Sequence, residues 1–85
     1  MRDYSELFTH GVQAQKEKLD ENSHKCGFDS ATIDYAFKRI RQEFYELEQE
    51  YVMRDQNIKA IRAEFADVCN FGHMGILACD KKLEL

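Results

Sequence analysis

Arg41–Asp67 reads RQEFYELEQEYVMRDQNIKAIRAEFAD and contains two acidic pairs of the same spacing, Glu43/Glu46 and Glu64/Asp67. On a helix, residues three apart share a face about one turn from each other. Two neighbouring helices carrying one pair each would therefore gather four carboxylates. A polar break, Arg54–Asn57 (RDQN), separates the halves and suits an antiparallel helix hairpin.

The segments on either side extend the helical pattern. Ile33, Phe37, Ile40, Phe44, Leu47 and Tyr51 recur at alternating steps of four and three, the seam used in helix-to-helix packing. Ile58, Ile61, Phe65, Val68 and Ile76 form a stripe on the next segment, interrupted by Gly72 and Gly75. A continuous helix to about Asp80 is expected, with Lys81–Leu85 frayed. Those glycines either break the helix or admit a close neighbour. Upstream, Asp3 to about Glu21 carries Tyr4, Leu7, Phe8, Val12 and Leu19 at helical spacing, an apolar stripe expected to face inward. Asn22–Asp29 (NSHKCGFD) reads as a loop, with Asp29 or Ser30 as cap of the second helix.

The chain of 85 residues contains no proline and no long apolar run, so a single all-α domain over 1–85 is expected. Three main helices close a core poorly alone, and completion of a four-helix-type core by a homodimer or homotetramer follows. No membrane span or secretory segment is evident, which makes a cytoplasmic protein the expectation. The net charge of -4 argues against nucleic acid as the partner. Cys26, Cys69 and Cys79 form no CxxC and read as reduced thiols, while His24 and Cys26 offer only half a zinc site.

Placed at ~100° per residue, Glu43, Glu46 and Glu50 lie along one edge of the second helix's seam, and Glu64 and Asp67 along the same kind of edge on the third. If the helices pack through their seams, the acidic edges meet at the rim of the core, partly shielded from water. Carboxylates so close repel and raise one another's pKa values unless a cation neutralises them. An oxygen-only set suits Mg²⁺, with Mn²⁺ as substitute, and Mg²⁺ commonly shares its shell with substrate phosphates. Metal-assisted phosphoanhydride hydrolysis is the chemistry this favours. The competing reading is a non-catalytic helical oligomerisation or partner-binding module whose acidic edge is a solvated face.

The order ExxE, 17 intervening residues, then ExxD followed by an apolar helix resembles the MazG-like superfamily of all-α nucleoside triphosphate pyrophosphohydrolases. Glu43 and Glu46 in QEFYELEQE, and Glu64 and Asp67 in AEFADVCNF, carry the resemblance, which covers roughly Ile33 to Cys79. It implies Mg²⁺-dependent cleavage between the α and β phosphates of a nucleoside triphosphate, giving the monophosphate and pyrophosphate. Glu43, Glu46, Glu64 and Asp67 would be metal ligands, and Glu46 would also orient the attacking water. Asn70, one turn after Asp67, would hydrogen-bond substrate or a ligand carboxylate, or face solvent. Arg39, Lys59 and Arg62 would contact phosphates. The chain has no tryptophan to stack on a base.

Overall fold

The computed structural model describes residues 3–21 and 32–83, which form three α-helices: α1 (Ser5–Glu21), α2 (Ile33–Tyr51) and α3 (Ile58–Leu83). Local chemistry sets their ends. The Asp3 carboxylate accepts from the Ser5 N–H at 2.9 Å, before α1. Thr32 caps α2, its hydroxyl accepting from the Tyr35 N–H at 3.0 Å. This cap replaces the expected Asp29 or Ser30, because α2 begins only at Ile33; the Asn22–Asp29 loop and the His24/Cys26 pair lie outside the described residues. Asn57 accepts from the Ala60 N–H at 3.1 Å and starts α3. The polar break is therefore a helix start as well as a turn.

α3 runs unbroken through Gly72 and Gly75, as the long apolar pattern predicts. It also continues to Leu83, so Lys81–Leu83 are helical rather than frayed; Lys81 and Lys82 in the last turn suit the negative end of the helix dipole. Gly75 marks a close approach: a Cβ there would lie 3.5 Å from Ala36 Cβ, whereas one on Gly72 would meet nothing within 4 Å. The helices pack antiparallel in the order α2, α3, α1. Among the described residues α3 meets both of the others, and α1 and α2 do not meet.

Packing departs from the expected seams. Ala36 and Ala66 are the only fully buried apolar residues described, and no large side chain is completely enclosed. The α1 stripe, expected inward, is exposed at Tyr4, Leu7, Phe8, Val12 and Leu19. The α2 seam is exposed at Ile33, Phe37, Phe44 and Tyr51, and the α3 stripe at Ile58, Phe65 and Ile76. The faces that meet carry small and polar groups instead. α2 turns Ala36 and Glu43 toward α3, and α1 offers Gln15 as its buried residue.

Helical phase places the exposed stripes. Tyr35 and Arg39, on one flank of α2, reach Phe71: the Tyr35 ring lies 6.4 Å away edge-on, and the Arg39 guanidinium stacks 4.7 Å from the ring centroid. Phe37, Phe44 and Tyr51 occupy the opposite flank of α2, and Phe65 and Ile76 the opposite flank of α3. One side of the hairpin thus carries α1 and the carboxylates. The other is an uncovered apolar face.

Candidate metal centre

Antiparallel register sets Glu43, two turns beyond Ala36, opposite Asp67, two turns before Gly75. Glu43, Glu64 and Asp67 each bring a carboxylate oxygen to within 4.8 Å of the others. Glu43 is only 3% exposed, although it is a charged residue in a chain with almost no core. Its Oε1 accepts from Arg39 at 2.6 Å, while its Oε2 and the Oε2 of Glu64 are buried without a hydrogen-bond partner. Buried anionic oxygens left unpaired are costly. A hard cation between the two helices would satisfy both, and the all-oxygen set fits Mg²⁺ or Mn²⁺.

The electrostatics carry the same strain. Burial, the neighbouring Glu46 carboxyl and the nearby Asp67 charge push the Glu43 carboxyl up to about 7, against the pull of Arg39. Burial, then the Asp67 and Glu46 charges, raise Glu64. Asp67 is raised by burial in spite of Lys18 beside it. Each shift reports first the desolvation of the carboxylate and then its crowding by other acidic groups.

Three of the four residues expected as ligands therefore converge. Glu46 stands one turn from Glu43, close enough to raise its carboxyl, but outside the group of three. Arg39, read as a phosphate contact, is held by Glu43, by a short hydrogen bond to Gln42 and by the Phe71 ring. Arg62 pairs with Glu17 of α1 at 2.7 Å. Lys59 is exposed, near enough to Glu17 to lower its carboxyl together with Arg62. Asn70 is neither solvent-facing nor on a carboxylate. Its Oδ1 accepts from Gln15 Nε2 at 3.1 Å, and its Nδ2 donates to the Gln15 carbonyl at 3.3 Å, so the amide locks α1 to α3.

Sequence reading missed Lys18, Gln15 and Phe71. Lys18 lies 3.6 Å from Asp67 and 3.5 Å from Glu21. The one available signal was the polar run Gln13–Lys18 on a helix otherwise read by its apolar residues. Its register on α3 could not be deduced from helical spacing.

Fold and site together define an all-α protein in which an antiparallel hairpin carries a partly buried tri-carboxylate cluster flanked by a third helix. No protein-family model, curated protein or solved structure matches the chain.

Proposed function

We propose that the protein is a Mg²⁺-dependent nucleotide pyrophosphohydrolase, acting as a homo-oligomer, that splits the α–β phosphoanhydride of a nucleoside triphosphate into the monophosphate and pyrophosphate. The observation that carries this reading is the convergence of Glu43, Glu64 and Asp67 with two buried, unpartnered carboxylate oxygens. The substrate class rests on the resemblance of the ExxE and ExxD pairs to MazG-like enzymes, and the cluster supports it by joining one residue of the first pair to both of the second.

Glu43, Glu64 and Asp67 would hold Mg²⁺, or Mn²⁺ in its place. When bound, the metal supplies charge neutralisation to the phosphates and lowers the pKa of a water. Glu46, one turn from Glu43, would be the residue to orient an attacking water and accept its proton. Arg39 holds the Glu43 carboxylate in place through its bond to Oε1, a role different from a direct phosphate contact. Arg62 and Lys59, toward the α1 side of α3, remain available to a phosphate tail through rearrangement of the exposed Glu17 pair.

The apolar face supports the oligomer. The exposed area is 7160 Å², against ~5,200 Å² for a compact monomer of this size. That excess, together with exposed Phe37, Phe44 and Phe65, favours association with a second copy. That face also fits the alternative of a non-catalytic oligomerisation module, and metal dependence separates the two readings.

The test is pyrophosphate release from a panel of ribo- and deoxynucleoside triphosphates, with Mg²⁺ and with chelator, alongside Glu46→Gln and Asp67→Asn. Metal-dependent release of pyrophosphate rather than orthophosphate, reduced at least about 100-fold in both variants, is expected. No turnover together with no Mg²⁺-induced rise in Tm would leave the oligomerisation module as the answer.

A further inference from the structure

Lys18 plays no part in the reading above, yet it is the cation that α1 delivers to the carboxylates. Its ammonium sits 3.6 Å from Asp67 Oδ2, with both side chains largely buried, and 3.5 Å from Glu21. The contact belongs to a docking surface that is polar where it meets the site. Gln15 and Asn70 exchange two hydrogen bonds one turn along, and Glu17 and Arg62 close the outer edge. Asp67 and Asn70 are successive turns of α3. The residues that seat α1 are thus the metal centre's own carboxylate and its neighbour.

A carboxylate has a limited number of lone pairs, and a cation beside it repels another cation. Asp67 Oδ2 is the atom Lys18 faces, and Asp67 is one of the three residues whose oxygens converge. Glu43 Oε2 and Glu64 Oε2, without hydrogen-bond partners, show that Lys18 and Arg39 leave the centre incompletely neutralised. We propose that Lys18 is a built-in competitor for the divalent cation: it occupies Asp67 when the metal is absent, gives up that contact when the metal binds, and so sets the metal affinity through its charge. The proposal rests on the metal centre inferred above.

The consequence has an unusual sign. Removing a side chain from a binding site ordinarily weakens binding, but removing Lys18 should tighten it. One positive charge fewer beside a divalent ion in a water-accessible site corresponds to about a tenfold change in Kd. Isothermal titration of the full chain with MgCl2 and with MnCl2 reads this directly, using wild type, Lys18→Met, Lys18→Arg and Glu17→Gln. Lys18→Met should bind Mg²⁺ about tenfold more tightly and gain more Tm from it, although its Tm in chelator falls. Lys18→Arg should stay within about twofold of wild type, since it keeps the charge. Glu17→Gln, which loosens α1 at its exposed edge without touching the carboxylates, should also stay within about twofold. It is the control for α1 docking in general.

Equal or weaker affinity in Lys18→Met, against measurable binding by wild type, overturns the competitor role and leaves the metal centre standing. Equal tightening in Glu17→Gln overturns it too, because α1 docking and not the Lys18 charge would then be the cause. No binding by wild type with binding by Lys18→Met supports it in its strongest form. No binding by any of the four proteins overturns the metal centre itself, and the competitor with it.

Discussion

Glu43 concentrates the cost of this fold in a single side chain. Its carboxyl titrates about 7 in the folded chain, against 4.5 for an ordinary glutamate. The folded state therefore holds a proton that the unfolded state has released between those two values. Stability is greatest below about pH 4.5 as far as this group is concerned, falls as pH rises toward 7 and levels off above it. At most ~3.5 kcal/mol is involved, at 1.36 kcal/mol for each pH unit, and solvent screening makes the realised value smaller. In chelator, Tm should fall from pH 5 to pH 7.5, measured by calorimetry. Glu43→Gln should remove most of that slope, and saturating Mg²⁺ should flatten it in wild type, because metal replaces the proton. An unchanged slope in Glu43→Gln would place the titrating group elsewhere.

At the scale of the element, α1 is held on α3 by polar contacts while its apolar stripe is exposed, so its own helical propensity counts heavily. Gly11 sits in its middle with nothing within 4 Å of where a Cβ would be. Gly11→Ala should raise stability by about 1 kcal/mol, seen as a higher urea midpoint with the same slope. A loss of stability would mean that a partner helix approaches α1 there. The existence of α1, α2 and α3 was legible because it depends on period, a local property, whereas the start of α2 at Thr32 and the end of α3 at Leu83 were misplaced. The break between α2 and α3 and the unbroken α3 follow from a few neighbouring residues. The roles of Asn70 and Lys18 were not legible, because their partners Gln15 and Asp67 lie 55 and 49 positions away, and no periodicity reports such a distance.

For the whole molecule, the uncovered face decides the behaviour. The radius of gyration, 14.2 Å, exceeds the ~12 Å of a compact chain of this length. Phe37, Phe44 and Phe65 are 56–59% exposed. In a monomer, a charge placed on such a half-exposed position would change stability by ~0.5 kcal/mol or less. If the proposed homo-oligomer forms through this face, Phe44→Glu should instead dissociate it and lower Tm in a concentration-dependent manner, measured by light scattering on a sizing column and by calorimetry. A wild type that is monomeric at high concentration would reject the homo-oligomer.

The sequence by itself determined the three helices, their ends near the site and the pairing of acidic residues at matching positions on α2 and α3. These are local matters of spacing and propensity. It could not determine which way the stripes face. The same i, i+4, i+7 pattern serves a seam within the chain and a seam between chains, and only the packing of Ala36 against Gly75 shows that small residues and carboxylates line the intrachain contact. Burial of Glu43, docking of Lys18 on Asp67 and closure of Asn70 by Gln15 were likewise decided by tertiary structure. Each depends on how two helices are turned about their own axes, and that rotation is set by the sum of many contacts rather than by any one stretch of residues.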